Sequence, residues 1–231
     1  MRKLHLMLLL CLLPFMGLAA DEDNSLSVER MWQLERVGSP VVSNDGKYIV
    51  APVTRYDVKA DKAHTRLWLF SADGKQQKPL TAEGLRASEA TFSPDGKTLA
   101  FISQRDKDEA GQIYLLALDA PGEAQRLTEV PTGVYGIKWV GKHLYFISRI
   151  WPGKNWEETT AQLKAEKEKK VSARQWNALP YSQFDHWIDE NRQAHVFRIA
   201  ATGGAVEPVT QPLGYELPRS SQGASSYDID P

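Results

Sequence analysis

The sequence predicts an all-β fold, a β-propeller of about three four-stranded blades, on three observations. A turn signature recurs: Val42-Ser43-Asn44-Asp45-Gly46-Lys47, then Phe92-Ser93-Pro94-Asp95-Gly96-Lys97, then a shortened Trp139-Val140-Gly141-Lys142. Two strand-like runs follow each turn, at 48–51 and 67–70, at 98–102 and 113–116, and at 143–147 and 196–199. A short third strand then ends each unit in a threonine, Thr81, Thr128 or Thr210. The turn glycines are 50 and 45 residues apart, which is the length of a propeller blade.

The unit has the chemistry of antiparallel strands joined by tight turns. Asp-Gly at 45–46, 73–74 and 95–96 provides the positive φ that hairpin turns need, and Pro94 presets the first turn residue. The runs are apolar on both faces and rich in Ile, Val, Leu and aromatics, which suits a sheet stacked between two like sheets. An irregular β-sandwich has no reason to repeat one turn in register. Blades are therefore expected at about 37–81, 87–128 and 134–210, with a fourth starting at 226–231, in a partial propeller domain spanning 21–231.

Ahead of the blades, the N-terminus has the form of a secretory signal peptide covering 1–20. Met1-Arg2-Lys3 is followed by an apolar run from Leu4 to Phe15 and a small-x-small end, Gly17-Leu18-Ala19, before the acidic Asp21. Cleavage is expected near Ala19 or Ala20, giving a periplasmic or secreted chain with no membrane partner. Cys11, the only cysteine, leaves with the signal; Leu10 before it is too bulky for a lipoprotein site. The mature chain would carry 26 basic and 29 acidic groups and no thiol. A cysteine nucleophile and a zinc–thiolate site are thereby excluded, and no basic footprint suggests a nucleic-acid partner.

Residues 27–36 read as a short helix with Ser27 as N-cap and Val28, Met31 and Trp32 on one face, packed on the propeller rim. The third unit is long: closing threonines 128 and 210 are 82 residues apart, against 47 for the pair before. The surplus is a helical insert at about 151–187. From Trp156 to Lys170 it consists of strong helix formers with charge pairs such as Glu166 and Lys170. Trp176, Tyr181, Phe184, His186 and Trp187 are expected to dock it back onto the blade.

Together the 27–36 helix, the Ser-Pro-Asp-Gly turn series, and the insert ending Phe184-Asp185-His186-Trp187-Ile188-Asp189 before His195-Val196-Phe197 resemble the prolyl oligopeptidase family of serine peptidases. The likeness is to the secreted dipeptidyl aminopeptidase/acylaminoacyl-peptidase branch, and it covers essentially the whole mature chain. It implies a propeller that caps a C-terminal α/β-hydrolase domain and restricts entry to short or unstructured peptides. It further implies peptide substrates handled by that hydrolase domain, no cofactor, and a parent enzyme that could dimerise.

No catalytic residue is expected in the chain itself. The Gly-x-Ser-x-Gly elbow of such hydrolases is missing; Gly223-Ala224-Ser225-Ser226-Tyr227 comes nearest and lacks the second glycine. Histidines 5, 64, 143, 186 and 195 read as lying in the signal, a loop, strands or the aromatic cluster. Ser226-Tyr227-Asp228-Ile229-Asp230-Pro231 matches Glu89-Ala90-Thr91-Phe92-Ser93-Pro94, so the sequence is expected to be the N-terminal part of a longer exported peptidase, without its hydrolase domain. On its own this part should associate through open sheet faces and hydrolyse nothing.

Candidate binding residues are few, and substrate-binding residues stay unassigned. Glu157-Glu158 could hold a peptide's free amino terminus or could be an ordinary acidic first helical turn. Asp189-Glu190 reads as a hairpin turn before Asn191, and Glu216 and Arg219 could face a central cavity. No His or carboxylate spacing suggests a metal site. The other functional reading is a free-standing periplasmic propeller of TolB type that serves as a protein-binding platform.

Overall fold

The computed structural model describes residues 25–105, 107–171, 182–183, 186–187, 191–219 and 222–230. The expected signal peptide lies outside them, as do Trp176, Tyr181, Phe184, Asp189 and Glu190. In chain order the elements are α1 (Val28–Gln33), β1 (Arg36–Val37), β2 (Val41–Val42), β3 (Tyr48–Asp57), β4 (Lys62–Ser71), β5 (Gln77–Pro79), β6 (Arg86–Phe92), β7 (Thr98–Gln104), β8 (Gln112–Ala117), β9 (Gln125–Arg126), β10 (Tyr135–Val140), β11 (His143–Ile150), α2 (Trp156–Glu168), β12 (Ser182–Gln183), β13 (His186–Trp187), β14 (Gln193–Ala200) and β15 (Glu207–Pro208).

They form three antiparallel sheets whose strands follow sequence order from inner edge to outer: β1 and β2 then β3-β4-β5, β6-β7-β8-β9, and β10-β11-β14-β15. Each is one propeller blade, and β12-β13 is a separate small hairpin inside the insert. Side chains of a strand alternate between faces, and the central strand of the second blade uses both. Leu99 and Phe101 pack with Val50, Leu67 and Leu69 of the first blade. Ala100 and Ile102 face the other way, into Leu144, Phe146 and Phe197 of the third. That sandwiching explains why the strand reads as an unbroken apolar run.

The repeated turn is a hydrogen-bonded unit. In Ser43, Ser71 and Ser93 the hydroxyl donates to Oδ1 of the aspartate two residues on, at 2.7, 2.6 and 2.6 Å. The same carboxylate oxygen accepts the amide of Lys47, Lys75 or Lys97. The glycine that follows holds φ of 71, 74 or 72°, a left-handed conformation that favours glycine. These bonds, the serine hydroxyl's first, pull the Asp45 carboxyl down to about 2 and lower Asp73 and Asp95. The turn's contribution is therefore present above the ordinary value of 3.8 and lost as pH falls through the lowered one. Ser43→Ala should move the Asp45 titration back up toward 3.8, read by carboxyl NMR.

The closing threonines also have a physical reason. Strands β5, β9 and β15 are too short to pair the full length of their neighbours, and the threonine hydroxyl stands in for the missing ladder acceptor. Leu67 N–H donates to Thr81 Oγ1 at 3.1 Å, Ile113 N–H to Thr128 at 2.9 Å, and Val196 N–H to Thr210 at 3.0 Å.

Helix α1 starts as expected, with Ser27 Oγ accepting the Arg30 amide, but its packing differs. Val28 and Met31 are exposed, and Trp32 engages the blade, edge-on to Tyr56 at 5.3 Å with Arg36 over both rings. One turn of helix cannot aim three side chains at a single strand. His64 also departs from expectation: it lies in β4 rather than in a loop, because β3 and β4 pair out to Asp57 and Lys62.

Candidate functional site

Where the blades meet, β6 packs against β2 on one side and β10 on the other, and β10 packs against the 222–230 segment. The first strands of successive units thus stand side by side around one axis. At one end Val42, Asn44, Phe92, Trp139 and Ile229 line a cleft of about 520 Å³.

Both middle inner strands are bulged at the same repeat position. The β6–β7 register slips between Ser88 and Ala90, leaving Glu89 unpaired with φ of 41°; the β10–β11 register slips after Tyr135, where Gly136 has φ of 63°. A bulge re-aims a side chain out of the ladder. Here it sends Glu89 across to the next blade, where Oε2 accepts the Gly136 amide at 2.5 Å and the carboxylate also takes the Ile137 amide. From the other side, Tyr227 donates its hydroxyl to the Gly136 carbonyl at 2.6 Å. Only glycine fits at 136: a Cβ would come within 2.9 Å of the Gly223 carbonyl carbon, and the backbone is left-handed.

Polar groups continue along this edge. Tyr135 Oη donates to Gln222 Oε1 at 2.5 Å, and Arg149 Nη2 donates to the same oxygen at 3.1 Å. Lys138 Nζ bonds the Tyr227 carbonyl at 2.6 Å and pairs with Asp228 at 2.8 Å. Burial pushes the phenols of Tyr135 and Tyr227 up, with the nearby Glu89 charge adding to the effect. The set offers hydrogen bonding and charge along the inner edges of the blades.

At Glu89 desolvation outweighs the two amide bonds and raises the carboxyl above the ordinary 4.5. The proton is thus bound more tightly in the folded chain than in the unfolded one. Stability linked to Glu89 is full below 4.5 and declines as pH rises through the raised value. Glu89→Gln should flatten that decline, so wild-type and variant midpoints, measured by denaturant titration at several pH values, should diverge in the variant's favour as pH climbs.

The residues singled out from sequence fall elsewhere. Glu158 completes the cap of α2: its carboxylate accepts the Asn155 amide at 2.9 Å while Asn155 Oδ1 accepts the Glu158 amide at 2.9 Å. Glu157 sits exposed in the same first turn, so helix capping accounts for Glu158. Glu216 and Arg219 pair with each other at 2.9 Å. His195 is buried, 3.3 Å from the closing Thr210 hydroxyl, and burial pushes its pKa down. Ser225 lies in a short 3₁₀ turn, Ala224–Ser226, not in a strand-to-helix elbow. Among the described residues no three His, Cys, Asp or Glu converge as metal ligands, and no helix is long and apolar enough to cross a membrane.

Sequence reading passed over Glu89, Tyr135, Gly136 and Gln222. A signal existed for the first: an acid stands at the repeat position that holds Gly136 in the next unit and Ser226 in the last. It reads as an ordinary polar strand residue until the bulge shows where it points.

Three stacked antiparallel sheets running in sequence order are β-propeller blades, and the chain's sequence relatives are peptidases. No family model matches the chain. It is 25% identical over 194 residues to dipeptidyl-peptidase 5 of Porphyromonas endodontalis, across 83% of this chain and 26% of that protein. It is 32% identical over 103 residues to the uncharacterized peptidase YuxL of Bacillus subtilis, across 45% of this chain and 15% of that protein. The chain thus spans about a quarter or less of these relatives. Among solved structures it resembles Pyrococcus horikoshii acylaminoacyl peptidase, with a TM-score of 0.58 and 16% identity over 82% of this chain and 26% of that one. It also resembles the AtxE2 isopeptidase, with a TM-score of 0.55 and 16% identity over 82% of this chain and 32% of that one. At such identities the structural likeness speaks for the fold alone. The resemblance to the propeller portion of prolyl oligopeptidase-type peptidases stands.

Proposed function

We propose that the chain forms the first blades of a propeller that gates a serine exopeptidase of dipeptidyl or acylaminoacyl type, exported by the 1–20 signal and acting on peptides. The blades would filter and position substrate, while bond cleavage belongs to a hydrolase domain outside these residues. One observation carries the reading: the inner strands of successive blades pack side by side, with Glu89 and Tyr227 both bonded to Gly136 between them. The dipeptidyl-peptidase 5 relative supports it, because the match covers 83% of this chain but 26% of that protein.

The test compares the complete gene product with residues 21–231 expressed alone, using dipeptidyl and acyl-aminoacyl chromogenic substrates and a serine-directed fluorophosphonate probe. The complete product should hydrolyse at least one substrate and take up the probe, while 21–231 should do neither. A complete product that takes up no probe and binds protein partners would instead favour the TolB-type platform.

A further inference from the structure

Gly136 is gripped from both sides by side chains of the neighbouring units. Glu89 holds its amide from the second blade, and Tyr227 holds its carbonyl from the start of the fourth. The two grips differ in kind from the apolar contacts between blade faces, because they tie the inner strands β6 and β10 and the 222–230 segment together at a single point. The bulges turn Glu89 and the Gly136 backbone toward each other across the gap between the two inner strands.

The geometry points to a latch: Glu89 and Tyr227 are positioning residues that clamp the Gly136 bulge and so set how far the second and third inner strands and the 222–230 segment can part. This rests on the gating reading above. Blade faces packed by apolar contact alone can slide and part. A pair of directional bonds at the axis resists that parting where a peptide would have to pass. The latch therefore limits the size of peptide that enters, without touching the reacting bond.

The experiment uses the complete gene product and its Glu89→Ala and Tyr227→Phe variants. Each is assayed on a dipeptidyl chromogenic substrate and on an unstructured peptide of about ten residues, the short and the long species that a gate must tell apart. Hydrogen exchange is followed at Gly136, Ile137 and, as a control, Leu99. Both variants should exchange faster at 136–137 but not at Leu99. Their kcat/KM should rise for the long peptide by roughly threefold or more relative to the short one.

If Glu89→Ala fails to fold, Tyr227→Phe, which loses one hydroxyl, decides alone. Unchanged length selectivity overturns the latch even where exchange is faster, since Glu89 would then be only a structural pin. A wild-type product inactive on both substrates would sink the peptidase reading and the latch's gating role with it, an outcome separable from selectivity that simply fails to move.

Discussion

Phe197→Ala should lower the unfolding midpoint more than any other single truncation discussed here. Phe197 is 1% exposed in the middle of β14. It stacks on Phe146 at 6.1 Å and meets Trp156, the first residue of α2, at 4.7 Å. Removing a ring that close-packed leaves a cavity the neighbours can only partly fill, costing about 3–5 kcal/mol. For a domain of this size that is roughly 10 °C in midpoint. Because Trp156 loses its platform, the variant's tryptophan emission should shift red before global unfolding. Phe197→Leu should recover most of the loss. A drop of under roughly 1 kcal/mol for the alanine variant would mean that the site collapses and that α2 does not depend on it.

The second large effect is polar. Thr128 is 2% exposed; its hydroxyl accepts the Ile113 amide at 2.9 Å and donates to Gln112 Oε1 at 2.9 Å, an oxygen that also accepts the Val130 amide. Thr128→Val keeps the shape and strands a buried N–H, at a cost of about 2–4 kcal/mol once the weakened Gln112 bond is included. Thr128→Ser restores the hydroxyl and should regain most of that. The comparison, read as denaturant midpoints, separates the hydrogen bond from the methyl. Equal losses for Val and Ser would show that packing of the methyl, not the hydroxyl, closes the blade.

These two residues were legible to different degrees. Thr128 stood out in the sequence as one of three threonines at the same place in a repeat, although its role as a substitute ladder acceptor became visible only with the coordinates. Phe197 read as one apolar residue in a strand. Nothing local says that its partner is Trp156, because the contact joins a strand to an inserted helix that starts 41 residues earlier. Periodicity located the insert and the acidic first turn of α2. It could not say that Glu158 is consumed by Asn155, since a capping box and a ligand-holding acid pair look alike until the bond is seen.

Export is proposed on the 1–20 segment, and its check is mass spectrometry of the secreted chain's N-terminus, expected at Ala20 or Asp21.

Blade architecture follows from local information. Strand period, positive-φ glycines and a repeat spacing near 45 residues are encoded within a few positions of one another, and each unit solves the same hydrogen-bonding problem with the same residues. The axial site depends on contacts between units. Glu89 and Gly136 lie 47 residues apart, and Gly136 and Tyr227 lie 91 apart. Each acquires its role only when stacked sheets bring two bulges face to face. A repeat can write its own strands and turns into the sequence, but what one blade does to the next is decided by packing.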